Sequence, residues 1–142
     1  MRLVVDTNVL VSGLLTPFGV CGDTVRLITS GAITLCVDGR ILFKYEEVLQ
    51  RPRFRFAPTE IGILMAYLNT SSEFHGATPL LQALPDSDDA PFLEVAIAAH
   101  AEALVTGNAK HFPPQYCRNI PILSPRALMD RWRKTKETDH VH

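Results

Sequence analysis

Apolar positions along this chain change period repeatedly, and each change predicts the end of one element and the start of another. Leu3, Val4 and Val5 form a short continuous apolar run. That is the pattern of a strand buried on both faces of a parallel sheet. The run stops at Asp6-Thr7-Asn8, after which Val9, Leu10, Leu14 and Leu15 take up helical spacing. Thr16-Pro17-Phe18-Gly19 interrupts that helix. Helical spacing returns with Val25, Leu27 and Ile28 and stops at Ser30-Gly31. Residues 32–37 read as a second buried strand. Asp38 can cap a third helix, whose core face is Ile41, Leu42, Tyr45, Val48 and Leu49; Pro52 ends that helix or comes just after its end. Residues 59–69 predict a fourth helix, entered through Pro58.

Residues 70–85 are polar and irregular, with a weak strand near Phe74. A turn carrying Asp86, Asp88 and Asp89 then leads into a strongly patterned helix with Phe92, Leu93, Ala96, Ile97 and His100. Residues 103–106 predict another buried strand, ending at Gly107-Asn108. Residues 120–123 predict an edge strand because they contain Pro121. A last helix is expected over 125–133, followed by a charged, disordered C-terminal tail over 134–142. The alternation of strands and helices predicts an α/β fold, a three-layer α/β/α sandwich with a mostly parallel central sheet. One domain over residues 1–133 is expected.

Composition narrows the functional classes. The chain has 142 residues, 46% hydrophobic and 20% charged, with a net charge of −1. It therefore lacks the global basic field of many nucleic-acid binders, and any such contact must use a local patch or a metal. Cys21, Cys36 and Cys117 are too few and too scattered for a disulfide framework or a zinc site. The odd count, with no export signal, predicts a cytoplasmic protein. No run approaches the ~18 apolar residues of a membrane helix, so no membrane association is expected.

The chemistry is expected where the strands end, because ligands of open α/β sheets bind beyond the carboxyl ends of strands. Asp6 there is either a helix cap or a ligand. The helix that precedes the 103–106 strand starts at the same sheet edge, so Asp6, Asp88 or Asp89, and Asn108 can converge. Taken singly, the acids read as caps and Asn108 as a turn residue. Together they read differently, because clustered carboxylates repel unless a cation lies among them. Oxygen donors without Cys or His imply Mg²⁺ or Mn²⁺ rather than zinc. Such a site suits in-line attack of water on a phosphodiester.

Four stretches carry a resemblance: Val-Val-Asp6-Thr-Asn8-Val-Leu-Val-Ser-Gly, Glu47-Val-Leu-Gln-Arg51-Pro-Arg-Phe54, Asp86-Ser-Asp88-Asp89-Ala-Pro-Phe-Leu93 and Leu-Val-Thr106-Gly-Asn108-Ala-Lys-His111-Phe. In this order, over residues 1 to about 125, they resemble the PIN domain, and within it the branch of toxins from toxin–antitoxin pairs. The resemblance implies a Mg²⁺- or Mn²⁺-dependent endoribonuclease, frequently a homodimer, restrained by a small antitoxin protein. By position, Asp6 would be the first metal ligand and Asp89 the third acid, with Asp88 in support. Asn108 would stand where a fourth Asp or Asn sits. Thr7, Asn8 and Thr106 would hold the acids and the attacking water.

One position departs from that pattern. The family has a Glu immediately before the tyrosine of the third helix, and this chain has Lys44 before Tyr45. Glu47 lies about 60° further round the helical wheel and is long enough to replace the missing acid. Lys44 either neutralises Asp6 or Asp89 or extends its ammonium into solvent. Arg51, Arg53 and Arg55 alternate with aromatic residues and either hold an RNA backbone or belong to a surface loop with buried phenylalanines. His111 reads as a structural loop histidine, with phosphate contact as the alternative. A haloacid-type phosphatase would need an Asp where Asn8 stands, and a phospho-receiver would need an acid adjacent to Asp6. The rival reading is a PIN-like RNA- or protein-binding module whose cleavage is weakened or lost because of Lys44.

Overall fold

The computed structural model describes residues 1–141. Among them, β1 (Arg2–Val5), β2 (Thr34–Val37), β3 (Glu73–Phe74), β4 (Ala103–Val105) and β5 (Ile122–Leu123) form one sheet in the order β3-β2-β1-β4-β5. Every pairing is parallel. The continuous apolar runs lie at the centre, as expected of strands covered on both faces. Leu3, Val4, Val5, Cys36, Val37, Leu104 and Val105 are all fully or almost fully removed from water. β3 and β5 are the two edges, and each is two residues long, which limits exposed ladder groups.

The helices are α1 (Thr7–Leu15), α2 (Val20–Thr29), α3 (Gly39–Leu49), α4 (Pro58–Ser71), α5 (Ala90–Ala99) and α6 (Pro125–Val141). α5 packs across the middle of the sheet, against β1, β2 and β4. α1 packs on α2 and α3, α3 on α4, and α6 on α2. The caps explain several boundaries. Asp38 accepts a hydrogen bond from the Ile41 amide at 3.0 Å and opens α3. His100, expected within a helix, is instead the left-handed C-cap of α5 (φ 50°). Pro52 comes just after the end of α3 at Leu49, as one of the two expected placements had it, and opens a separate 3-10 turn over Pro52–Phe54.

The last helix departs most from expectation. The pattern ends it at Arg133 and leaves 134–142 as an irregular tail, yet α6 continues to Val141. Lys134, Lys136 and Glu137 are good helix formers, and the Lys136 ammonium lies 5.2 Å from the centre of the Trp132 ring one turn back. Residue 142 lies outside the described residues.

α1 and α2 approach so closely that glycine is required at the contact. A Cβ on Gly22 would lie 2.0 Å from the Pro17 carbonyl oxygen, and one on Gly13 would lie 2.5 Å from the Cys21 carbonyl oxygen. These obstacles are backbone atoms, which cannot rotate away. Gly22→Ala should therefore destabilise the fold by about 1–3 kcal/mol. A calorimetric Tm lowered by roughly 3–10 °C is the expected result, and an unchanged Tm would show that the Pro17 connection between the helices yields freely.

Candidate active site at the end of the central strands

β1 and β4 end side by side, with Val5 opposite Val105. This is where the strand order turns back on itself, the switch point at which open α/β sheets form crevices. The next residues, Asp6 and Thr106, are both buried. The Asp6 amide donates to the Val105 carbonyl at 2.9 Å, which continues the ladder one residue past the strand. Asp6 occupies the N-cap position of α1, but its side chain makes no capping bond. Its Oδ2 instead accepts the Thr106 hydroxyl at 2.8 Å, and Thr106 Oγ1 accepts the Asn108 amide at 3.1 Å. The choice between cap and ligand is thus decided against the cap. The carboxylate is held from the neighbouring strand.

Tyr45 fixes the same strand end from the opposite side. Its hydroxyl donates to the Val5 carbonyl at 2.5 Å from a fully buried ring. Burial, with the Asp6 charge adding to it, pushes the phenol pKa far up, so Tyr45 stays a donor.

The start of α5 supplies the second acid. Asp86 accepts from the Asp88 amide at 2.9 Å and so caps the 3-10 turn Ser87–Asp89. Asp89 then stands at the N-cap of α5 without a capping bond and is only 8% exposed. Its Oδ2 lies 2.9 Å from His111 Nδ1. The two atoms stand at ion-pair distance, but this buried oxygen accepts no aligned hydrogen bond. Desolvation, and secondarily the Asp6 charge, raise the Asp89 pKa from 3.8 to about 6, against the opposing pull of His111.

These groups share a cavity of about 170 Å³. Of the residues expected at the site, Asp6, Thr7, Asn8, Lys44, Asp88, Asp89, Arg51 and Arg53 line it. Thr106 lies beneath, bonded to Asp6. Thr7 Oγ1 is buried without a hydrogen-bond partner, so a second unpaired oxygen belongs to a residue of the wall. Lys44 Nζ lies 3.9 Å from Asp88 Oδ2, so it reaches the cavity and its ion-pair partner is Asp88, not Asp6 or Asp89.

Besides Thr106, three expected residues do not join the lining. Glu47 is exposed and paired with Arg51 at 3.2 Å, one turn along the same helical path. It does not take the place of the acid missing at position 44. Asn108 is exposed, and its Nδ2 lies 2.9 Å from His111 Nε2. Arg55 takes a left-handed backbone (φ 57°) after the 3-10 turn and is exposed, while Phe54 and Phe56 stack at 6.0 Å, half-buried.

Two further wall residues lie outside the expected site set: Asp86, expected only as part of the acidic turn, and His111, expected as a structural loop residue with phosphate contact as the alternative. The sequence held a signal for each. Asp86 precedes Asp89 by one turn, and His111 follows Asn108 by one 3-10 turn, Ala109–His111.

The donor set fits a hard divalent cation. Two carboxylates from different elements face one small polar cavity, and a buried oxygen of Asp89 lacks a partner. A second group of metal-capable side chains, Cys36, Glu73 and His75, differs because a cation is already there. Arg2 forms a two-pronged ion pair with Glu73 and reaches His75 at 3.4 Å.

An all-parallel α/β sandwich with an acidic crevice at its switch point is the class these observations define. Residues 2–110 match the PIN domain, and the chain belongs to that family. Its fold is also similar to a chain in the crystal structure of VapBC2 from Rickettsia felis bound to a DNA fragment from their promoter. That match has a TM-score of 0.54 and 13% identity, and it covers 87% of this chain and 98% of the other. No curated protein matches the chain.

The raised pKa of Asp89 gives a signed prediction. A carboxyl whose pKa rises on folding adds stability below pH 3.8 and loses it as pH climbs through about 6. Without divalent ions at pH 7, Asp89→Asn should therefore be more stable than the native chain, by about 3 °C in Tm. The same substitution should abolish any rise in Tm on adding Mn²⁺. Thermal melts with and without metal check both, and a lower metal-free Tm in the variant would contradict the charge argument.

Proposed function

We propose that this PIN domain is a Mg²⁺- or Mn²⁺-dependent endoribonuclease and the toxin of a toxin–antitoxin pair. The observation that carries the reading is the pairing of Asp6 and Asp89, two buried carboxylates facing one cavity, with Asp89 Oδ2 left without a hydrogen bond. Desolvated like charges are unfavourable in a fold unless a cation uses them.

Asp6 and Asp89 would hold the ion. The ion would polarise a phosphoryl oxygen and lower the pKa of water for in-line attack on the phosphodiester. The Thr106 hydroxyl keeps the Asp6 carboxylate in one orientation, and the Val5–Tyr45 bond keeps its backbone in place. Asn8, exposed in the first turn of α1, would offer its amide to the attacking water or a phosphate oxygen, and the buried Thr7 hydroxyl would help to hold the acids from the wall. Arg51 and Arg53 lie on the same cavity and supply a local basic patch beside the acids, suited to the RNA backbone. Lys44, paired with Asp88, leaves the nearest carboxylates of the proposed ion site to the ion. Membership of the PIN family and the likeness to a VapBC2 chain support a small antitoxin protein as partner. The protein is proposed to act in the cytoplasm, as a homodimer. No helix among the described residues is long and apolar enough to cross a membrane.

A second reading takes its support from Lys44, whose ammonium stands in the cavity wall where the family has an acid. In that reading the chain binds RNA or protein and cleaves poorly. Incubation with a mixed pool of structured and single-stranded RNA in Mn²⁺ or Mg²⁺ separates the two. The nuclease reading expects cleavage that EDTA stops and that Asp6→Asn and Asp89→Asn each reduce at least about 100-fold. It also expects Lys44→Glu to remain active. A native chain that does not cleave, with cleavage appearing in Lys44→Glu, would establish the binding module instead.

A further inference from the structure

His111 reaches the cavity from the loop after β4, and the metal-dependent reading above leaves it without a task. One ligand atom each from Asp86, Asp89 and His111 lie within 4.8 Å of one another. His111 Nδ1 is 2.9 Å from Asp89 Oδ2, a buried oxygen without an aligned donor. That separation is an ordinary ion-pair distance, and it also suits two atoms that coordinate one ion. A small octahedral divalent ion with ligand bonds a little over about 2 Å places two adjacent ligands about 3 Å apart. The ring nitrogen and the carboxylate oxygen therefore already stand at the spacing of neighbours on one ion.

The other face of the ring points the same way. His111 Nε2 lies 2.9 Å from Asn108 Nδ2. Amide oxygen and nitrogen are interchangeable in shape, so the Asn108 side chain can present Oδ1 instead by a half-turn. Nε2–H then donates to Asn108, and the Nδ1 lone pair faces Asp89. An imidazole ligand is commonly oriented in this way, by a hydrogen bond from its second nitrogen to an outer group.

We propose that His111 is a nitrogen ligand of the divalent ion held by Asp89, and that Asn108 is a positioning residue acting through His111 rather than a ligand itself. The proposal rests on the metal-dependent reading above and sharpens it. A nitrogen donor shifts the site away from Mg²⁺, which keeps oxygen ligands and water, and toward Mn²⁺.

Pulsed electron paramagnetic resonance of the full chain loaded with MnCl₂ tests this without reference to cleavage. The expected result is ¹⁴N coupling from a directly bound imidazole, lost in His111→Gln. Mn²⁺ affinity in His111→Gln should fall about tenfold, with Mg²⁺ affinity changing much less. Asn108→Ala should keep the coupling and weaken Mn²⁺ about tenfold; unchanged affinity would contradict the role given to Asn108. Circular dichroism confirms that each variant is folded, and the signal of the native chain decides the matter even if a variant is not. Mn²⁺ that binds and is lost in Asp89→Asn, but shows no imidazole coupling, overturns the proposal and leaves the metal reading standing. Coupling that persists in His111→Gln also overturns it. No specific Mn²⁺ binding by the native chain overturns both.

Discussion

Asp6 and Asp89 are largely withdrawn from water, and the charge of one raises the pKa of the other. Two carboxylates so placed oppose folding unless something of opposite charge stands with them. The rest of the molecule is arranged to enforce that placement. Asp6 is fixed by a ladder bond to Val105, by the Thr106 hydroxyl and, through Val5, by the Tyr45 phenol. Asp89 is delivered by α5, which packs across β1, β2 and β4 and so begins at the same edge where β1 and β4 end. Basic side chains collect on the wall around the acids, Lys44, Arg51 and Arg53, with the His111 imidazole beside Asp89. They moderate the local charge and leave Asp89 Oδ2 without an aligned donor.

The parallel order β3-β2-β1-β4-β5 matters because it puts next to each other the two strands, β1 and β4, from which the chain moves outward to opposite edges of the sheet. An acid one residue past β1 and a threonine one residue past β4 then meet without any loop having to fold back. Residues far apart in the chain, such as Asp6 and Thr106, become partners by register alone. The buried acid is a product of sheet topology more than of local sequence.

Much of this was legible in the sequence. The apolar runs at Leu3–Val5 and in residues 32–37 and 103–106 identified the central strands, because strands covered on both faces have no polar alternation. Pro121 identified the β5 edge, and Asp38 the start of α3. The convergence of Asp6 and the Asp86–Asp89 turn followed from alternation of strands and helices. Other features depended on side-chain direction, which periodicity does not fix. Glu47 sits within reach by the helical wheel, but Arg51 one turn later captures it at the surface. Asn108 follows a strand end correctly, but its amide lies against His111. His111 was read as a loop residue because a single histidine before Phe112 has no period to mark it. The helical continuation to Val141 escaped notice because a charged run reads alike in a solvated helix and in a tail.

If Asp6 and Asp89 serve one ion, their contributions to its binding cannot be independent. Calorimetric titration of Mn²⁺ into the native chain, Asp6→Asn, Asp89→Asn and the double variant measures this directly. The account predicts strong non-additivity, with either single substitution removing nearly as much affinity as both together. Additive losses, or a single substitution that leaves Mn²⁺ affinity intact, would contradict the claim that these two buried carboxylates form one site.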